Sequence, residues 1–139
     1  MQVLYAEDNP TNQQVVRLML EAAGIAVACV ENGAMAVESW ASGRFDMVLM
    51  DLQMPVMDGL SAIREIRRRE AAEGRLRTPI YTLTANALPE HARAAAAAGA
   101  DGHLTKPVNA AVLLDSIAGA LSEGAALAAQ AQPRFTAQI

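Results

Sequence analysis

The side chains that could do chemistry in this sequence lie directly after short apolar segments. There are five: Glu7 and Asp8 after the first segment, Asp51 after the third, Thr84 after the fourth and Lys106 after the fifth. Three carboxylates brought together in a partly buried place repel one another and need a cation. Mg²⁺, or Mn²⁺ in its place, suits carboxylate oxygens and completes its shell with water and phosphate. The set therefore indicates metal-assisted chemistry on a phosphoryl group.

Each carboxylate has an expected place around that cation. Asp8 and Asp51 are the expected direct ligands, and Glu7 is expected to reach the cation through water. The backbone carbonyl of Gln53, two residues beyond Asp51, is well placed as a third protein ligand.

The remaining residues fit phosphoryl transfer, which needs in-line positioning and neutralisation of the equatorial oxygens. Asp51 is the expected nucleophile and phosphoacceptor. Lys106 and the hydroxyl of Thr84 would bind equatorial oxygens. Lys106 is the only lysine among 11 lysines and arginines, and its compact ammonium is not interchangeable with a guanidinium. Taken singly, each residue has an ordinary explanation as a helix cap, dipole partner or turn residue.

The elements that would position these residues alternate along the chain. Apolar segments predict five strands, over residues 2–6, 25–30, 47–50, 80–83 and 102–105. Helical periodicity with capping residues predicts five helices, over residues 9–24, 32–40, 61–73, 89–98 and 109 to about 122. This alternation is typical of an α/β fold with a doubly wound, five-stranded parallel sheet. A basic stretch in the third helix, with Arg64, Arg67, Arg68 and Arg69, predicts a solvated face.

The predicted strand order is 2-1-3-4-5, a flavodoxin-like arrangement whose right-handed crossovers suit a chain of this size. In that order the carboxyl ends of all strands meet at one edge, where open α/β sheets bind ligands. Residues 1–122 are predicted to form the domain. Residues 123–139 are rich in alanine and glutamine and predict a continuation of the last helix to about Ala131 or a linker.

Four motifs in this order resemble those of the response-regulator receiver domain of two-component systems. They are AEDNP at residues 6–10, MDLQMPVMDG at 50–59, LTANA at 83–87 and LTKP at 104–107. The resemblance covers residues 2–122. The residues of the four motifs are most similar to those in receivers of hybrid sensor histidine kinases. It implies a phosphoryl group taken from phosphohistidine onto Asp51, and a conformational switch through Thr84.

The resemblance also implies partners. These are a histidine kinase, or the kinase core of the same chain, and a histidine-phosphotransfer protein that docks on the first helix, near Val15 and Val16. A free-standing regulator remains the alternative to a piece of a hybrid kinase. Gln53 and Asn86 flank the site and are expected to set the lifetime of the phosphate.

Two positions depart from the family pattern. His103 stands where receivers usually carry the Phe or Tyr of the switch, so it is either a surface switch residue or an exposed histidine without a role. Tyr5 stands where the first strand is usually aliphatic, and a buried tyrosine hydroxyl needs a partner that the sequence does not name.

Two other classes of protein fit the sequence less well. A haloacid-dehalogenase-like phosphatase needs an acid two residues after its nucleophile, and Gln53 cannot serve as one. A receiver-like interaction module without phosphorylation is expected to lack one of the five site residues, and all five are present. The chain is therefore not predicted to be an enzyme beyond slow loss of its own phosphate, although a hybrid parent chain would be a histidine kinase.

Composition limits the remaining choices. The net charge of -4 does not indicate the excess of positive charge that binds the phosphates of nucleic acid. The sequence lacks a signal-peptide pattern and an apolar run long enough for a bilayer. No direct membrane contact and a cytoplasmic location are therefore expected, while the oligomeric state stays open.

Overall fold

The computed structural model describes residues 1–85 and 88–131, with side chains described up to residue 120. Five strands lie along this part of the chain: β1 (Gln2–Ala6), β2 (Ala26–Val30), β3 (Met47–Asp51), β4 (Ile80–Thr84) and β5 (Gly102–Thr105). Five helices alternate with them: α1 (Pro10–Ala22), α2 (Gly33–Ser42), α3 (Gly59–Glu73), α4 (Pro89–Ala98) and α5 (Ala110–Ala131). The predicted alternation is confirmed.

The strands form one parallel sheet in the order β2-β1-β3-β4-β5. β1 lies between β2 and β3, with Ala6 in register with Val30 and with Met50. On the other side of β3, Asp51 is in register with Leu83. The predicted order is confirmed, and it brings the ends of β1 and β3 together at the point where the chain reverses direction.

Both faces of the sheet are covered, so the central strand has no polar side. All five residues of β3 are buried, as expected for a parallel strand between two helical layers. One core contains Leu4, Trp40 and Ile63, under α2 and α3. The other contains Leu20 and Leu113, under α1 and α5. The strands that carry the site are thus packed on both faces by hydrophobic cores.

Side-chain caps fix where the helices begin. Asn9 accepts a hydrogen bond from the amide of Thr11 at 2.8 Å and caps α1. Asp58 accepts one from the amide of Ser61 at 2.9 Å, so α3 begins at Gly59 rather than at the predicted Ser61. A Cβ atom at Gly59 would collide with the backbone carbonyl of Asp51. The glycine therefore lets α3 pack directly against the end of β3.

The last helix, α5, continues to Ala131, the end that the first of the two predicted alternatives gave to it. Residues 132–139 and Asn86 lie outside the described residues. The division into a domain over residues 1–122 and an extension over 123–139 stays a prediction. In the described part of the chain, no helix combines the length and hydropathy needed to cross a bilayer.

The prediction of a solvated basic face on α3 is wrong for one of its arginines. The side chain of Arg67 is only 13% exposed. Its guanidinium donates to the backbone carbonyls of Gly99 at 2.9 Å and Thr78 at 2.8 Å. It also pairs with Glu70 and Asp101, each at 2.8 Å. Arg67 therefore ties α3 to the start of β4 and to the connection between α4 and β5.

The loop between β3 and α3 holds a strained valine. Val56 has a φ of 67° and is 84% exposed, within a tight turn closed by the Met57 amide on the Pro55 carbonyl at 2.7 Å. A β-branched residue rarely adopts this left-handed conformation, which costs about 1–2 kcal/mol.

The variant Val56→Asn should therefore raise the free energy of unfolding by about 0.5–1 kcal/mol, because Asn tolerates positive φ. Urea unfolding of Val56→Asn and the wild type measures this change in the free energy of unfolding. The control Val15→Asn, at an exposed helical position, should give no gain. Equal stability of Val56→Asn and the wild type would show that the turn carries no strain.

Candidate functional site

The carboxyl edge of the sheet holds a cluster of three carboxylates. Glu7, Asp8 and Asp51 each place an oxygen within 4.8 Å of the others. Glu7 and Asp51 are buried, being 1% and 6% exposed, whereas Asp8 is exposed. The predicted convergence of these residues is what the fold produces, because Glu7 and Asp8 directly follow β1 and Asp51 ends β3.

Lys106 reaches into this cluster from the end of β5. Its ammonium lies 2.6 Å from Oε1 of Glu7 and 3.2 Å from Oδ2 of Asp51. Its backbone amide donates to the carbonyl of Thr84 at 2.7 Å, which joins the ends of β4 and β5 beneath the site. Three carboxylates and one ammonium leave a formal charge of -2, the charge that a divalent cation would neutralise.

Burial and neighbouring charge shape the protonation of this cluster. Burial, followed by the Glu7 carboxyl, raises the pKa of Asp51 from 3.8 to about 6. Burial also works to raise the pKa of Glu7, but hydrogen bonds from Lys106 and the Asn9 amide outweigh it and lower that pKa. Burial opposes the charge on Lys106, yet the two carboxylates raise its pKa above the ordinary value. Without a cation, Asp51 is thus the carboxyl whose ionised form is disfavoured, chiefly by burial and next by Glu7.

The other two predicted residues lie close to the cluster. The amide of Gln53 donates to Oδ1 of Asp51 at 3.2 Å, which places the start of the loop beside the carboxylate. Thr84 is 3% exposed at the end of β4. The roles of the Gln53 carbonyl as a metal ligand and of the Thr84 hydroxyl as a phosphate donor stay predictions.

Tyr5 has the partner that the sequence did not name. Its hydroxyl donates to Oε1 of Glu7 at 3.0 Å, and the tyrosine is completely buried. Burial and the Glu7 carboxylate raise the pKa of Tyr5, which keeps the hydroxyl protonated and able to donate. Residues two apart on a strand face the same side, so the spacing of Tyr5 and Glu7 could have revealed this contact.

His103 contacts a different threonine from the one expected of a switch residue. Its Nδ1 lies 2.6 Å from Oγ1 of Thr82, its register partner on β4. The residue is half-buried rather than fully exposed. Burial, followed by the charge of His91, lowers its pKa. A switch role shared by His103 and Thr84 stays a prediction.

The surface of α1 beside the site is partly apolar. Val15 and Leu18 are 42% and 57% exposed. Val16 is 1% exposed, so it belongs to the core and cannot be part of the predicted docking face. A cavity of about 150 Å³ lies between α1 and the segment that follows β5, lined in part by Tyr5, Val15 and Lys106.

The donor set fits a hard divalent cation. Both oxygens of Glu7 are engaged, Oε1 by Tyr5 and Lys106 and Oε2 by the Asn9 amide at 3.1 Å. Glu7 is thus poorly placed as a direct ligand, which leaves Asp8 and Asp51. One or two carboxylates completed by water and phosphate oxygens is the coordination that Mg²⁺ favours.

The fold and this edge define the class of protein. The chain belongs to the response regulator receiver domain family, whose model matches residues 3–118. It is a phosphoacceptor module of two-component and phosphorelay signalling. The haloacid-dehalogenase alternative has no support among the relatives.

Relatives in hybrid sensor proteins are close in sequence. The chain is 40% identical over 118 residues to the sensory/regulatory protein RpfC of Xanthomonas campestris pv. campestris, covering 85% of this chain and 16% of that protein. The chain thus spans only about a sixth of the length of this relative.

Solved structures agree with the fold. The receiver domain of the sensor histidine kinase PA1611 of Pseudomonas aeruginosa PAO1 has a TM-score of 0.79 and 40% identity, covering 87% of this chain and 97% of that one. That structure has a magnesium ion coordinated in its active site cleft. The receiver domain of Ssk1 of Saccharomyces cerevisiae, solved in complex with the histidine phosphotransfer protein Ypd1, has a TM-score of 0.81 and 34% identity. The match covers 84% of this chain and 86% of that one.

Proposed function

We propose that this chain accepts a phosphoryl group from a phosphohistidine onto the carboxylate of Asp51, with Mg²⁺ or Mn²⁺ as the assisting cation. The observation that carries the proposal is the position of the Lys106 ammonium, in contact with both Glu7 and Asp51 beside three clustered carboxylates. Asp8, Asp51 and the carbonyl of Gln53 would hold the cation, and Glu7 would reach it through water. When bound, the cation neutralises charge on the phosphate and carboxylate oxygens.

The transfer step forms one bond and breaks one. An oxygen of the Asp51 carboxylate attacks phosphorus in line with the nitrogen of the phosphohistidine. The P–N bond breaks, and its electron pair returns to the imidazole, which leaves as neutral histidine after taking up a proton. Lys106 and the Thr84 hydroxyl would each bind an equatorial oxygen of the phosphoryl group. Attack of water on the aspartyl phosphate later releases inorganic phosphate slowly, which is the only hydrolysis expected of this chain.

Phosphorylation would act as a two-state switch. Movement of Thr84 toward the phosphate would bias the surface formed by α4, β5 and α5. His103 lies on β5 within this surface, so it is the residue through which β5 would respond. Because few hydrogen bonds are gained, the unphosphorylated domain should sample both states.

The partners that fit are a histidine kinase, or the kinase core of a longer chain, as donor and a histidine-phosphotransfer protein as acceptor. The exposed Val15 and Leu18 of α1 lie next to the cavity beside Lys106 and would receive that protein. A hybrid kinase in the cytoplasm is the favoured context, since the chain is 40% identical to part of the sensory/regulatory protein RpfC. Phosphate passed on to a phosphotransfer protein would distinguish it from a free-standing regulator.

The proposal is tested by intact-mass spectrometry after incubation with acetyl phosphate. The wild type should gain one phosphoryl group with Mg²⁺ and none with EDTA. Asp51→Asn should gain none, because an amide cannot attack phosphorus.

The control Asp115→Asn, on the exposed side of α5, should label like the wild type. Unchanged labelling of Asp51→Asn, or labelling of the wild type in EDTA, would refute the proposed role of this site.

A further inference from the structure

Tyr5 lies beneath the site without taking part in the proposed transfer. It is completely buried, and its hydroxyl donates to the same oxygen, Oε1 of Glu7, that binds the Lys106 ammonium. The hydroxyl is thus a second donor on an oxygen that already has a cation. A buried phenylalanine would fill the same space in the core, so packing alone does not explain why this residue carries a hydroxyl.

Glu7 depends on these donors. It is 1% exposed, and its Oε2 accepts only the Asn9 amide at 3.1 Å among the described contacts. If Lys106 turns toward a phosphoryl group on Asp51, Oε1 of Glu7 loses its nearest charge. A buried carboxylate oxygen left without a donor costs about 1–3 kcal/mol or more. The move of Lys106 is favourable only if another donor stays on Oε1 of Glu7.

We propose that Tyr5 is a positioning residue whose hydroxyl stays on Glu7 and so lets Lys106 turn to the phosphoryl group. The small cavity of about 150 Å³ that both Tyr5 and Lys106 line gives the lysine side chain room to move. In the resting domain Lys106 and Tyr5 share Oε1 of Glu7, and in the phosphorylated domain the Tyr5 hydroxyl is the donor left on that oxygen. This inference rests on the proposed phosphoacceptor function and assigns a role within it.

Tyr5→Phe removes the hydroxyl and keeps the ring. Beryllofluoride, which binds a carboxylate as a phosphoryl group would, is the probe, and isothermal titration measures its affinity at saturating Mg²⁺. The affinity of Tyr5→Phe should fall about 10-fold, because Oε1 of Glu7 is left without a donor only in the bound state, whereas Lys106 still binds it in the resting state. Its affinity for Mg²⁺ alone should stay within about 2-fold of the wild type, since Lys106 still binds Glu7 in that state.

The matched control is Tyr81→Phe, the other tyrosine, on β4. It should match the wild type in both affinities. Wild-type affinity for beryllofluoride in Tyr5→Phe would overturn the role of Tyr5 while leaving the phosphoacceptor function intact. Equal losses for Mg²⁺ and beryllofluoride would also overturn it, because a structural defect has that pattern. A wild type that binds no beryllofluoride would instead overturn the proposed function itself.

Discussion

Replacing Asp51 by asparagine should make the protein more stable at neutral pH in the absence of divalent cations, by about 1–3 kcal/mol. The pKa of Asp51 is raised from 3.8 to about 6, chiefly by burial and next by Glu7. Each pKa unit corresponds to about 1.4 kcal/mol, so holding Asp51 ionised in the fold costs close to 3 kcal/mol. Asparagine removes this cost but also gives up the 3.2 Å contact with Lys106, which offsets part of the gain.

The pH dependence of this effect follows from the direction of the shift. The folded state binds the Asp51 proton more tightly than the unfolded state does, so the wild type loses stability as pH rises from about 4 to about 6. Below pH 4 both states are protonated and carry no penalty. The gain of Asp51→Asn should therefore be complete above pH 6 and vanish below pH 4.

Urea unfolding in EDTA at pH 4 and pH 7.5 measures the difference in the free energy of unfolding between Asp51→Asn and the wild type. The control Asp115→Asn, an exposed position, should change stability by less than about 0.5 kcal/mol at both values. Adding Mg²⁺ should narrow the gap at pH 7.5, because the cation binds the folded wild type more tightly than the variant. Lower stability of Asp51→Asn at pH 7.5 in EDTA would mean that the carboxylates do not strain the fold.

Replacing Arg67 by methionine should destabilise the protein by about 3–5 kcal/mol. The methionine fills similar space but leaves the buried Glu70, whose side chain is 7% exposed, without its cation. It also removes the donors to the carbonyls of Gly99 and Thr78. Removing one partner of a buried ion pair costs about 3–5 kcal/mol, because the other charge stays buried without a counter-charge.

The matched control is the neighbouring Arg68→Met. Arg68 is 65% exposed and, among the residues that the structure describes, pairs with the surface residue Glu65, so its loss should cost less than about 1 kcal/mol. Equilibrium unfolding of both variants makes the comparison. A similar cost for Arg67→Met and Arg68→Met would show that the buried network contributes no more than a surface pair.

The sequence was sufficient for the sheet and for the meeting of the site residues. Parallel strands must end at a common edge, so residues at the ends of strands converge whatever their side chains do. Asp51, Glu7 and Lys106 could be placed this way without knowing a single contact. Helix boundaries were predicted well where a cap residue marks them, as at Asn9 and Asn109.

Contacts between elements were harder, because they depend on which chain segments approach from elsewhere. The arginine run of α3 gives no sign that Arg67 meets carbonyls from the α4–β5 connection. Likewise, the pairing of His103 with Thr82 rather than Thr84 follows from the register of β4 and β5. That register is set by packing and is not visible in either segment alone.

The residue that receives the phosphoryl group can be identified directly by chemical reduction. Protein incubated with acetyl phosphate and Mg²⁺ is reduced with borohydride, which converts an aspartyl phosphate to homoserine, and is then digested and sequenced by tandem mass spectrometry. We expect homoserine at position 51 and aspartate at position 8. Homoserine at Asp8, or a labelled protein with no homoserine at position 51, would contradict the assignment of Asp51 as the phosphoacceptor.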